Sequence, residues 1–198
     1  MTTHSLKETR KEEMKEEFCT LLRSTGRQHV KEVIDGLEQL GFFEAPASRQ
    51  DHMPMPGGLA LHSLNVCKVA RMLAADMQEA RKGLVIPDQS IIVVSLLHDI
   101  CKSTRYHLNN EGKYEKDFSF LPLGHGEKSV YLLLRAGFEL TDDEALAIRW
   151  HMGPWQLALH NEEMCEDYKS ACHSTPLVSI LHAADTLATH ILENEDDI

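Results

Sequence analysis

Five stretches of this chain carry largely apolar helical stripes, and each is broken by a histidine or an aspartate. Leu59, Val66, Val69 and Leu73 share a face with His62. Ile91 and Val94 share one with His98, and Asp99 follows inside an otherwise apolar run. His125 heads a stripe of Ser129, Leu132, Leu133 and Ala136. His151 extends Ala147 and Ile148, and Asp185 stands among Val178, Leu181, Ala188 and Leu192. Burying an unpaired carboxylate is costly, so Asp99 and Asp185 need partners inside the core. Four imidazoles and two carboxylates satisfy one another if their helices meet at a metal ion, for which all six are suitable ligands. A single histidine on an apolar face is ordinarily a hydrogen-bonded core residue. Five such breaks on five helices are not.

The same 3.6-residue periodicity recurs along the chain and predicts an all-α fold. The first helix is expected over about Leu6–Arg23 and the second over about Arg27–Leu40, with Gly41 as its C-cap. After a proline- and glycine-rich loop, a third helix should run from Leu59 to about Lys82. A fourth should start near Asp88 and continue through Lys102, which would set His98 and Asp99 about 100° apart on one helix. Ser103–Gly124 reads as loop with a short hairpin around Asn110–Gly112. A fifth helix follows His125, and a sixth opens on the capping-box pattern Thr141-Asp142-Asp143-Glu144 and ends near Gly153-Pro154. Gln156–Ser174 is acidic and less periodic, a lid or a solvated turn of helix. The last helix takes Pro176 at its first position and runs to about Glu193. We expect one compact whole, with residues 1–45 as an N-terminal helical arm and 46–198 as the main helical bundle.

Composition narrows the function. A chain of 198 residues buries roughly 70% of its unfolded surface, enough for one sizeable core. Twenty basic against 31 acidic residues leave a net charge of −11, which speaks against a general nucleic-acid surface. No apolar run approaches the length of a membrane span, and the N-terminal stretch is charged where an export signal is apolar. The five cysteines are odd in number and form no CxxC pair, as suits reduced thiols in a cytoplasm.

The local contexts of the polar breaks are distinctive. Pro56-Gly57-Gly58-Leu59-Ala60-Leu61-His62-Ser63-Leu64 precedes and includes the first histidine. Leu96-Leu97-His98-Asp99-Ile100-Cys101-Lys102 holds the adjacent pair, and Ala184-Asp185-Thr186-Leu187-Ala188 holds the last aspartate. This series resembles the HD-domain metal-dependent phosphohydrolase superfamily, with Cys101 where its signature usually has glycine. The resemblance covers about Pro46–Leu192. It implies an HD-domain helical bundle with His62, His98, Asp99, His125, His151 and Asp185 as metal ligands. It also implies divalent ions from among Fe, Mn, Co, Ni, Zn and Mg. One ion needs only His62, His98, Asp99 and Asp185; the additional His125 and His151 resemble dinuclear members in which the HD aspartate bridges. A single histidine at the fourth station, His151-Met152, departs from the cyclic-dinucleotide phosphodiesterases that carry two.

The expected activity is hydrolysis of a phosphate ester, in a nucleotide or another small phosphorylated metabolite, by metal-activated water. Asp99 and Lys102 are the catalytic candidates, with Lys102 one turn beyond His98 and able to meet phosphoryl charge. Lys102, Lys128, His52 and Trp155 are candidate substrate contacts, and His182, three residues before Asp185, a candidate support. The partner is a small anionic substrate, with neither membrane nor nucleic acid, and the arm leaves a homodimer open. Two rivals remain at this level: a mixed-valent di-iron oxygenase of the HD fold, with the same ligand set, and a non-catalytic nucleotide-binding regulator. All six ligand positions are filled, which counts against the second.

Overall fold

A computed structural model describes residues 3–117, 121–156 and 161–193, with the side chains of residues 3–8, 155 and 156 outside that description. Among the described residues the chain forms α1 (Thr3–Ser24), α2 (Val30–Gln39), α3 (Gly58–Ala80), α4 (Asp88–Leu97), α5 (His125–Arg135), α6 (Asp142–Trp150), α7 (Glu162–Ser174) and α8 (Pro176–Leu187). The expected hairpin is present as β1 (Tyr106–Leu108) and β2 (Tyr114–Lys116), antiparallel, with His107 opposite Glu115. The fold is all-α, as the periodicity predicted.

The core is built around α4, whose residues from Ser90 to Leu97 are all buried. A helix apolar on every side belongs in the middle of a bundle. It packs against α3, α6, α8 and α1, while α3 also meets α8, and α6 meets α5 and α8. Phe18 and Leu22 of α1 are fully buried in this same core, and Phe18 lies at ring-packing distance from Phe42 and Phe43. Arg27, at the α1–α2 turn, ion-pairs with the buried Glu144 carboxylate. Glu144 also closes the predicted capping box with Thr141, and so joins the N-terminal helices to the start of α6.

Several boundaries differ from expectation, and two of the differences shape the site. α4 ends at Leu97 with His98 as its C-cap, and Asp99 takes φ −108° and ψ 18°, outside the helical region. A 3₁₀ turn over Ile100–Thr104 follows, so His98 and Asp99 are not neighbours on one continuous helix. α8 likewise ends at Leu187 and widens into a π turn over Ala188–Leu192. The extra residue in that turn moves the inward position from Leu192 to Glu193: Leu192 is 42% exposed and Glu193 only 2%. Most of the stretch before Pro176, expected as a lid or a solvated turn of helix, is α7, N-capped by the Asn161 side chain. Residues 157–160 of the expected lid lie outside the described residues.

Two glycines allow close backbone approach beside the site, Gly126 between two helices and Gly58 between a helix and a loop. A Cβ on Gly126 would fall 2.1 Å from the Arg149 carbonyl oxygen, and one on Gly58 would fall 2.1 Å from that of Met53. The α5 and α6 backbones touch at Gly126, next to His125 on one helix and two residues from His151 on the other. No helix among the described residues is long and apolar enough to cross a membrane.

Candidate metal centre

The six polar breaks converge. His62, His98 and His151 are fully buried, Asp99 is 1% exposed, and Asp185 and His125 close the cluster from its more accessible sides. The rings form an arc, with centroids 5.4 Å apart from His62 to His98, 4.9 Å from His98 to His151 and 5.1 Å from His151 to His125. Asp99 lies inside it. Its Oδ1 is 2.6 Å from His125 Nε2 and 3.4 Å from His151 Nε2. Its Oδ2 is 3.5 Å from His98 Nε2 and 3.9 Å from His62 Nε2. Asp185 Oδ1 stands 3.3 Å from His62 Nε2.

The outward nitrogens show which lone pairs face inward. His98 Nδ1 donates to the Ser95 carbonyl at 2.8 Å and His151 Nδ1 to the Ile148 carbonyl at 2.7 Å, each acceptor three residues earlier on the same helix. His62 Nδ1 donates to the Glu193 carboxylate at 3.0 Å. Protons held on Nδ1 leave the Nε2 lone pairs of all three rings pointing at the centre. Those Nε2 atoms are buried with no hydrogen-bond partner. A buried polar atom without a partner is unfavourable, and three on one spot next to two carboxylates are the chemistry a divalent cation satisfies. Subsets of the cluster, His62 with His98 and Asp185, His98 with Asp99 and His151, and Asp99 with Cys101 and His125, each bring ligand atoms within 4.8 Å of one another.

Electrostatics favour positive charge at the same place. Burial pushes His62 down, but the Asp185 and Glu193 carboxylates outweigh it and raise its pKa to about 9. Its Nε2 thus faces a seat for a proton or a metal ion. Burial alone dominates at His98, which falls to about 4. Burial would raise Asp99, but the adjacent Lys102, His125 and His98 hold its carboxyl well below the usual range. Asp185 is also held low, the His62 contact overcoming its burial.

Lys102 enters by a route the sequence did not show. In a 3₁₀ turn residues i and i+3 lie one above the other, so the turn after α4 stacks Lys102 on Asp99. Lys102 Nζ is 2.6 Å from Asp99 Oδ2 and the side chain is 12% exposed. Cys101, at the position where glycine was expected, is buried with Sγ 2.8 Å from His125 Nδ1. Burial pushes its thiol up to about 12, so it remains protonated. His52 reaches the cluster too: its ring centroid lies 5.0 Å from that of His62 and its Nε2 is buried without a partner. Burial, and then the charge of Lys102, lower its pKa to about 4. His182 Nδ1 donates to the His151 carbonyl at 2.8 Å, fixing the backbone of that residue. Lys128 does not reach Asp99; it is 8% exposed and lines a separate cavity on the far side of His125. The side chain of Trp155, expected near the pocket, lies outside the described residues.

Glu193 is the residue that helical periodicity missed, because the π turn that buries it has no signature in a 3.6-residue pattern. It holds His62 from behind and is itself fixed by Asn65 Nδ2 at 2.9 Å. Removing the carboxylate that orients a metal-binding histidine commonly costs 10–100-fold in affinity. Glu193→Ala is therefore expected to weaken metal binding by about that factor. A chelator-competition titration measures it, and an affinity equal to that of wild type would show that Glu193 does not orient His62.

Residues 59–190 match the HD domain family, a segment that contains all six converging residues and excludes His52 and Glu193. A protein of Methanocaldococcus jannaschii, dihydroneopterin 2',3'-cyclic phosphate phosphodiesterase, is 30% identical over 129 residues. The aligned part is 65% of this chain and 50% of the relative, so the chain spans about half the length of the curated relative it matches. No solved structure matches.

Proposed function

Because this chain belongs to the HD-domain family, we propose that it is a metal-dependent phosphohydrolase that cleaves a phosphate ester of a nucleotide or another small phosphorylated metabolite. The observation that carries this reading is the convergence of three partnerless, buried imidazole nitrogens on Asp99, an anionic carboxylate. His62, His98 and Asp185 would hold one ion, His125 and His151 a second, with one Asp99 oxygen toward each group. Residues 46–198 would form the catalytic unit, with 1–45 packed on its core. The phosphodiesterase named above supports a phosphodiester as the first substrate class to test.

Bound metal supplies Lewis acidity, lowering the pKa of a water and drawing charge from phosphoryl oxygens. The protein's own groups do the rest. Asp99 stays ionised, and an oxygen of it can accept a hydrogen bond from the attacking water and aim that water at phosphorus. Lys102 raises no desolvation problem at the moment of reaction, because its ammonium is already inside, paired with Asp99. There it can take up the charge that develops on the phosphoryl oxygens. His52, neutral at pH 7, can donate an Nε2–H to an ester oxygen from the His62 side. Burial of the cluster keeps bulk water from competing.

Metal analysis of the purified protein by mass spectrometry, followed by a panel of phosphomonoesters and phosphodiesters with each candidate metal, tests the reading. We expect tightly held metal and metal-dependent ester cleavage at the same rate with and without O₂. No cleavage of any ester with any metal overturns it, and turnover that requires O₂ assigns the centre to oxidation.

A further inference from the structure

On the side of His125 away from Asp99 lies a cavity of about 500 Å³, within the range of small-molecule sites. Arg105, Lys116 and Lys128 line it, with Asp117 the one carboxylate among the described residues that do. A concentration of positive charge is unexpected in a chain of net −11. Arg105 comes from the end of the 3₁₀ turn and Lys128 from α5, one turn beyond His125. Lys128 is buried; its burial, opposed by Cys101 and reinforced by the charge of Arg105, lowers its pKa. Lys128 and Arg105 thus present two cationic side chains to one cavity wall, which favours an anion there.

His125 connects this cavity to the centre. Its Nε2 faces Asp99 at 2.6 Å, while its Nδ1 lies 3.2 Å from Arg105 Nη1 and 2.8 Å from Cys101 Sγ. A guanidinium has only protons to give. Arg105 Nη1 directs one of them at His125 Nδ1, and the rest of its fork is available to a phosphate in the cavity.

We propose that this cavity is the subsite for a second phosphate of the substrate, one that is bound but not cleaved, held by Arg105 and Lys128. The inference rests on the phosphohydrolase reading and narrows it: the ester is one that carries a second phosphate, as a nucleoside bisphosphate does, not a phosphate on an otherwise uncharged metabolite.

Two measurements on Arg105→Gln and Lys128→Gln, each checked for folding by circular dichroism, test this. In the first, inorganic phosphate is titrated calorimetrically into the metal-free protein. Binding should weaken at least about tenfold in both variants, and Lys102→Ala, which alters the centre and not the cavity, should retain it. Wild-type phosphate affinity in both cavity variants overturns the proposal. In the second, adenosine 3',5'-bisphosphate and adenosine 3'-phosphate are compared as substrates of the metal-loaded enzyme. The wild type should favour the bisphosphate at least about tenfold in kcat/KM, through KM, and Arg105→Gln should lose that preference. Equal use of the two by the wild type, or a preference that survives in Arg105→Gln, overturns it. If neither ester is cleaved and the phosphate site is nonetheless lost in the cavity variants, the anion site stands and the hydrolase reading fails.

Discussion

Asp99→Asn is expected to keep the helical circular dichroism spectrum of the wild type and to lose ester hydrolysis by on the order of 10³-fold or more, about 4 kcal/mol of transition-state stabilisation. Asparagine preserves the size and one oxygen of the side chain, so the packing of the turn after α4 survives. What disappears is the negative charge to which His62, His98, Lys102, His125 and His151 are all directed. The amide presents one acceptor in place of two, so one half of the cluster loses its shared oxygen. Metal content should fall with activity. Lys102→Ala should be milder, raising KM for the phosphate while leaving metal content intact. Near-normal turnover by Asp99→Asn would overturn the mechanism, since no role for Asp99 at the centre survives that result.

Removing the metal should destabilise the fold. The converging residues come from α3, the turn after α4, α5, the end of α6 and α8, so an ion bound by them cross-links most of the bundle. A ligand present at 100 times its dissociation constant that binds only the native state adds about 2.7 kcal/mol. In a domain of this size that corresponds to a melting temperature higher by about 5–11 °C. Exhaustive dialysis against EDTA should lower the melting temperature by that amount, and re-addition of the native metal should restore it. Complete metal removal with an unmoved melting curve would mean that the ligands do not join the helices. The sign is unambiguous, because unfolding separates residues as far apart in sequence as His62 and Asp185 and leaves no site for the ion.

The residues of the centre were legible because they violate the pattern around them. A histidine or aspartate among leucines and valines is conspicuous at any helical position, and its burial follows from the neighbours that share its stripe. The capping box at Thr141 and the proline opening α8 were legible for a related reason: both are satisfied by contacts within three or four residues. Local chemistry determined the all-α class, most helix starts, and which six polar side chains must face inward.

Tertiary structure decided how those side chains meet. Whether a helix continues past His98 depends on what the next turn packs against, and the switch to a 3₁₀ turn set Lys102 over Asp99. The π turn after α8 changed which residue faces inward, burying Glu193 behind His62 in place of Leu192. Cys101 against His125, and Arg105 and Lys128 around one adjoining cavity, bring together segments some 20 residues apart that no periodicity encodes. A repeating pattern specifies a face only while the backbone keeps its period; where the period breaks, long-range packing chooses the new phase. In this protein both breaks fall next to the centre, so the sequence by itself determined the ligand types and the tertiary structure decided their second partners.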